Sequence, residues 1–341
     1  MRALDHVACM SVDKQISRFL NNVVPDVKDE PRVAVAVSGG GDSMALCFAL
    51  AGALPDTEIH FITVDHGLRS EAAKEAVLVS EWLEGLGIHT TLKWTHEGVD
   101  RKIQEQARDA RYRLISEYCD THEINALFLG HNQDDLIETY LMRLSSGSGL
   151  DGLASIAPVS WHKDLMLLRP FYDVPHADLI AYCQENHVEW VEDPSNDSDK
   201  YKRVRFRKAQ AFMEEEGLTQ KRLAKTIERT ARAKDALDQV AYSFLDQLIV
   251  AQDDETVSID FIAFQNLHAE FKIRVLSFII EQLVESAYPP RLEKLEGLAF
   301  DITRDAPFRK RTFSGCLFEA RPGDNVFVIS VEKGRVPTKN S

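Results

Sequence analysis

The chain has 341 residues, 44% of them hydrophobic and 28% charged, with a formal net charge of −14 from 40 basic and 54 acidic side chains. It is longer than one average domain and can bury a large core without disulfides. The cysteines (Cys9, Cys47, Cys119, Cys183, Cys316) form no Cys-x-x-Cys pair, and no run of about eighteen apolar residues predicts a membrane span.

Residues 1–30 read as a helical extension. Asp5, Asp13 and Lys14 interrupt its apolar runs, which does not fit a secretory signal, so a cytoplasmic protein is expected. Strand-like runs follow at Arg32–Val37, Glu58–Asp65, Ile88–Trp94 and Ala126–Gly130. Helical patterns lie between and after them at Asp42–Ala53, Ser70–Leu86, Asp100–Asp120 and Asn132–Ser145. Strands alternating with helices predict an α/β fold, a doubly wound parallel sheet covered on both faces. Cys47 falls in an apolar helix stripe and is expected in the core. Leu165–Arg169 predicts a fifth strand and Pro175–Asn186 a further helix, with Asp193–Asp199 as a loop. Helices are predicted over Val204–Glu216, Gln220–Val250, Phe271–Glu285 and Arg291–Phe300. Two strands, Arg311–Phe318 and Asn325–Val331, flank the turn Arg321-Pro-Gly-Asp. The expected organisation is the extension 1–30, an α/β nucleotide-binding catalytic domain 31–216, a mainly helical domain 217–331 ending in a β-hairpin, and a tail 332–341.

The most informative stretch is Ser38-Gly39-Gly40-Gly41-Asp42-Ser43, set between the first strand and the first α/β helix. Glycines permit a sharp turn and close approach to a ligand. The helix N-terminus beyond them offers free N–H groups and a positive dipole end, which suit phosphate. No Gly-Lys-Ser/Thr ending follows, so this is not a Walker loop. Asp65 and His66 close the second strand and are candidates to line a nucleotide pocket, or form a plain loop with Ser70 as N-cap. Arg108 and Arg111 stand three apart on a helix, either a solvated pair or a phosphate clamp. His131, Asp134, Asp135 and Glu138 fall on one side of a helix whose other side carries Leu136, Ile137, Tyr140, Leu141 and Leu144. Such carboxylates can cap the helix, bind Mg²⁺ or take a proton from an amine. Gly147-Ser-Gly149-Leu-Asp-Gly152 matches a dinucleotide fingerprint but follows a helix, so it reads as a flexible loop near the site. Residues 200–235 hold twelve Lys/Arg and five Asp/Glu, a window of +7 that leaves −21 on the rest. Arg203, Arg205, Arg207 and Lys208 lie in it, next to Tyr201 and Phe206, a pattern suited to an anionic partner such as RNA.

In chain order these motifs are Ser38–Ser43, Val64–Arg69, Gln106–Tyr112, Gly130–Thr139, Gly147–Leu153, Arg169-Pro170 and Glu192–Asn196 with the arginines after it. Together, over residues 32–208, they resemble the tRNA(Ile)-lysidine synthase family of the ATP-pyrophosphatase (PP-loop) group. Beyond residue 220 the resemblance is weak. It implies that ATP, with Mg²⁺, adenylates C2 of the wobble cytidine of a CAU-anticodon isoleucine tRNA and releases pyrophosphate. Free L-lysine then displaces AMP to form lysidine, which changes codon reading from AUG to AUA and identity from Met to Ile. The implied catalytic residues are Asp42, His131, Asp135, Glu138 and Arg205, with Asp42 and Asp135 on Mg²⁺. ATP would be held by Ser38, Gly39, Gly40, Gly41, Asp42, Ser43, Asp65, His66 and Arg111, and tRNA by Arg203, Arg205, Arg207 and Lys208. Arg203 and Arg207 are the neighbouring candidates for the role of Arg205. The family usually has Arg where this chain has Ser146, and Arg143 stands nearly one turn earlier. The rival readings are another tRNA-modifying enzyme of the same group and a non-catalytic nucleotide- or RNA-binding module. Monomer and homodimer are both compatible with the sequence.

Overall fold

The computed structural model describes residues 11–67, 72–94, 103–154, 156–192, 202–284, 290–304, 308, 310–321 and 325–332. Two compact units emerge: residues up to 146 together with 154–228, and residues 147–153 together with those from 229 on.

The first unit is built on a six-stranded sheet of β1 (Arg32–Ala36), β2 (Glu58–Asp65), β3 (Ile88–Lys93), β4 (Ala126–Leu129), β5 (Val159–His162) and β6 (Leu165–Leu168). Their order across the sheet is β3-β2-β1-β4-β6-β5. All neighbours pair parallel except β5, which returns antiparallel against β6. The expected parallel α/β sheet is therefore present. The edge strand β5 was not expected, because a four-residue run containing Ser160 and an exposed Trp161 carries little apolar signal.

Strand periodicity divides the core. Val33, Val35 and Val37 join one cluster with α2 (Gly41–Ala53) and α7 (His176–Glu185), while Ala34 joins another with Ile115 and Cys119 of α4 (Ile103–Thr121). α2 is apolar nearly all round and correspondingly buried, Cys47 included. Cys47, Cys119, Cys183 and Cys316 are all buried and unbridged.

The N-terminal helix α1 (Val12–Asn22) is no separate extension. Its stripe of Ile16, Phe19 and Leu20 is part of the α2 cluster, and Gln15 Nε2 donates to Pro170 O at 3.0 Å. A short 3₁₀ turn, Pro25–Asp29, leads into β1. The boundary expected at 216/217 shifts as well. α8 (Lys202–Glu215) does end there, at Gly217 with φ +85°, but the first turns of α9 (Gln220–Leu248) pack through Leu223 on the first unit.

The second unit holds the predicted helices as α11 (Ala269–Leu283) and α12 (Leu292–Thr303), plus a short α10 (Phe261–Gln265). Its sheet is larger than the expected hairpin. Five antiparallel strands run in the order β7-β8-β11-β10-β9, with β7 (Ile249–Gln252), β8 (Thr256–Asp260), β9 (Arg311–Phe313), β10 (Cys316–Arg321) and β11 (Val326–Val331). The single strand expected over 311–318 is two, because Ser314 and Gly315 take φ of +49° and +79° and turn the chain. Val257, Ile259, Phe318, Phe327 and Ile329 from this sheet are buried against Val275, Leu276 and Ile279 of α11. No helix among the described residues is long and apolar enough to cross a membrane.

Two glycines test this packing. A Cβ on Gly87 would sit 2.4 Å from the carbonyl oxygen of Ile59, whereas one on Gly52, inside α2, would meet nothing within 4 Å. Urea unfolding of Gly87→Ala is expected to show a loss of roughly 2–3 kcal/mol. Gly52→Ala is expected to gain about 0.5–1 kcal/mol through its effect on the unfolded chain.

Candidate active site

Strand order reverses between β1 and β4, since the chain leaves β1 toward β2 on one side and β4 pairs on the other. In open α/β sheets ligands bind beyond the strand carboxyl ends at such a switch point. Both Ser38–Ser43 and the segment after β4 lie there. Gly130 brings them together, because a Cβ on it would lie 3.1 Å from both Cα and N of Ser43.

The loop after β1 is internally braced. Gly39 adopts φ +84°, and its carbonyl accepts from Val191 N at 2.8 Å. Ser43 Oγ donates to Gly40 O at 2.8 Å, lies 3.1 Å from Ser38 Oγ, and is reached by Ser38 N at 3.3 Å. α2 begins at Gly41 with Gly40 as N-cap and no side-chain cap bond. A helix start without a cap leaves backbone N–H groups for an anion.

α5 (Gln133–Leu144) starts differently, with a full capping box. Asn132 Oδ1 accepts from Asp135 N at 3.0 Å, and Asp135 Oδ2 accepts from Asn132 N at 3.2 Å. One oxygen of Asp135 thus shapes the helix start that carries it. Asp134 bridges elements, since its Oδ2 accepts from His176 N at 2.8 Å and its Oδ1 from Gln220 Nε2 at 2.8 Å. Glu138 does not lie on a solvated face. It is 4% exposed and lines a recess with Asp134, Ile137, Leu141, Phe206 and Leu223. His131 precedes the helix, which begins at Gln133, and Phe206 and Met213 of α8 face the side of α5 that carries Glu138.

Sequence reasoning missed His176. Its Nδ1 lies 2.7 Å from Asp42 Oδ1, while its backbone joins Asp134, so α7 ties the glycine loop to the acidic helix. The available signal was a His after Pro175 at a helix start, which alone is unspecific.

A second corner forms beyond β2. Arg111 donates to His66 Nε2 from Nε at 3.3 Å and lies 3.1 Å from it through Nη2. Burial, then the positive charge of Arg111, pushes the His66 imidazole down to about 4, against the opposing pull of Asp65. The ring is therefore neutral near pH 7, and with Nε2 accepting, its proton sits on Nδ1. That atom is buried with no hydrogen-bond partner among the described residues, which leaves it as a donor facing the corner. Asp65 Oδ1 accepts from Gly67 N at 2.9 Å and shapes the turn. Arg108 adds positive charge around this corner, holding Arg111, Arg143 and Arg169 below the usual guanidinium range after burial itself. Arg169 is buried and donates to Ala157 O and Ser160 Oγ, both at 2.9 Å, which ties it to the β5–β6 hairpin.

Arg203, Arg205, Arg207 and Lys208 lie on α8, and Arg205 is exposed. The side chains of the other three, and the loop at 193–199, lie outside the described residues. On α9, Lys221, Lys225, Arg229 and Arg232 recur at helical spacing and are all exposed, opposite buried Leu223 and Ile227.

Comparison with known proteins adds relatives to this geometry. A PP-loop domain family matches residues 10–213. A tRNA(Ile)-lysidine synthase of Methylobacterium nodulans is 40% identical over 271 residues, 79% of this chain and 80% of that protein. One from Rhodopseudomonas palustris is 33% identical over 98% of this chain and 100% of its own length. One from Ruegeria pomeroyi is 39% identical over 76% of this chain, which spans 62% of that relative. Among solved structures, the U34-tRNA thiolase NcsA from Methanococcus maripaludis with its [4Fe-4S] cluster shares the fold. Its TM-score is 0.54 and its identity 16%, with 65% of this chain and 80% of that one covered.

The His66 environment is directly measurable. NMR titration is expected to place its midpoint near 4 rather than at the ordinary 6.5, and Arg111→Met to move it upward. Because the folded value lies below the unfolded one, its contribution to stability is complete above pH 6.5 and is lost as pH falls toward 4. A midpoint at the ordinary value would refute the Arg111–His66 pairing.

Proposed function

We propose a reaction for this chain from one premise: it belongs to the tRNA(Ile)-lysidine synthase family, ligases that form a carbon–nitrogen bond, and it carries that family's PP-loop ATP-binding domain. The reaction joins L-lysine to C2 of the wobble cytidine of a CAU-anticodon isoleucine tRNA. In the first step the C2 oxygen attacks the α-phosphorus of ATP and pyrophosphate leaves. In the second the lysine ε-amine attacks C2, AMP departs with the oxygen, and the amine gives up a proton. The partner being tRNA, the enzyme would work in the cytoplasm.

The carrying observation is the contact of Gly130 with Ser43, which sets an uncapped helix start beside the acidic start of α5. N–H groups and hydroxyls of Ser38–Ser43 would hold the departing pyrophosphate, with His66, Asp65 and Arg111 at the nucleoside side. Glu138, buried in the lining of a recess with largely apolar walls, suits an amine on an aliphatic stem and would orient or deprotonate it. His131 and Arg205 would steady the adenylated intermediate. Mg²⁺ fits the residues present. Asp42 and Asp135 offer carboxylates from two adjoining elements, and among the described residues no cluster of three ligands forms a cage. Mg²⁺ commonly takes one or two carboxylates together with substrate phosphates. When bound there it would neutralise charge developing on the phosphates.

Lysine incorporation into a CAU-anticodon isoleucine tRNA transcript, with ATP and Mg²⁺, tests the reading against a transcript with another wobble base. Incorporation into the first transcript alone is expected. Asp42→Asn should lower turnover by ~10²–10⁴-fold. Glu138→Gln should block lysine transfer while tRNA-dependent pyrophosphate release continues. Equal loss of both signals would remove Glu138 from the second step. Neutral replacements among the basic residues of 200–235 should weaken tRNA binding and lower its salt slope by about 1 per lost phosphate contact. Unchanged affinity and slope would remove this surface from tRNA binding.

A further inference from the structure

Arg274 lies on α11 in the second unit, and its side chain is only 3% exposed. A buried guanidinium is costly unless carboxylates surround it. Three do. Glu270, one turn earlier, accepts from Nε at 2.9 Å and lies 2.8 Å from Nη2. Asp238 on α9 accepts from Nη1 and is itself paired with Lys234. The third is Asp151, whose Oδ1 accepts from Nη2 at 2.8 Å.

Asp151 stands far from the other two in sequence. It belongs to α6 (Leu150–Leu153), within the segment 147–153 that groups with the second unit although both flanking stretches group with the first. An independent contact holds the same segment. A Cβ on Gly149 would lie 2.2 Å from Leu292 Cδ2 at the start of α12, so the backbone at Gly149 is pressed against that side chain. The segment read from sequence as a flexible loop is thus bonded to α11 and lies against Leu292 of α12. Only Ser145 and Ser146 separate it from the end of α5, whose first half carries Asp135 and Glu138.

We propose that Arg274 and Asp151 form a latch that fixes the Gly147–Leu153 segment to the second unit, and through it the chain leaving the acidic helix. They are positioning residues. The catalytic consequence rests on the reaction proposed above: with the latch open, α5 and its substrates are held less well and turnover falls.

Asp151 is the residue to change, because its side chain is 54% exposed and its removal leaves Arg274 with Glu270 and Asp238. Arg274→Gln would strand buried carboxylates and confuse latch with fold. In full-length Asp151→Asn, hydrogen exchange of residues 147–153 should rise by about tenfold while the melting temperature stays within ~2 °C of wild type. ATP affinity should be unchanged, and kcat for tRNA-dependent lysine incorporation should fall about fivefold or more, with recovery in Asp151→Glu. Unchanged exchange across the segment would overturn the latch. Raised exchange with unchanged kcat would overturn its catalytic role. A wild-type protein that incorporates no lysine would defeat the proposed reaction instead, and the exchange comparison would still decide the latch.

Discussion

The absence of a side chain at residue 130 is the constraint on which the site depends. β1 and β4 are neighbours in the sheet, so the turns that leave them must share one small space. With hydrogen at position 130, the β4 exit sits against the backbone of Ser43 in the first turn of α2. A Cβ there would lie 3.1 Å from Cα and N of Ser43, so any larger residue would require the two turns to give way by a few tenths of an ångström. The two helix starts are also finished in opposite ways. α5 satisfies its own N–H groups through a capping box, whereas α2 has no side-chain cap. One start is satisfied by its own side chains, and the other keeps first-turn N–H groups without a side-chain acceptor.

His176 adds a second tie. It reaches Asp42 through its ring and Asp134 through its backbone, so one residue at the start of α7 spans the glycine loop and the acidic helix. Asp134 extends the chain of bonds to Gln220 on α9. Two acids of the motif after β4, Asp134 and Asp135, therefore have structural work that a motif reading does not distinguish from chemistry. The charge distribution separates in a similar way. Arginines gather around His66 and Arg111, acids around α5, and an exposed basic stripe runs along α9 of a chain whose net charge is −14. A local stripe can hold phosphates at short range even where the net field is repulsive, because salt screens the distant charges first.

The sequence made the α/β core legible because each element there carries a strong local signal. The alternation of Val33, Val35 and Val37, the three glycines, and the acid-rich start of α5 each point to one structure. What was not legible depends on partners remote in sequence. β5, β7 and β8 are short and gain their strand character from pairing. The N-terminal helix looked separable because its apolar stripe does not reveal that α2 and α7 receive it. The burial of Glu138 was not legible, because helical spacing shows which residues share a side, not what covers that side. Arg169 stood out as part of a motif, but its bonds to Ala157 and Ser160 give it a place in the hairpin.

The chain passes from one unit to the other three times, at 146/147, 153/154 and 228/229. Two bodies joined by a single strand of linker can be parted with one scissile bond, and either can be shuffled, lost or replaced in one genetic event. A three-thread connection forbids this. A protein cut within α9 would keep Gly147–Leu153 on the remaining fragment without the helices that receive it, so deletion of the C-terminal half would leave a wound in the N-terminal half. In sequence the second unit is therefore not a simple appendage, since residues 147–153 belong to it as well as those from 229 on.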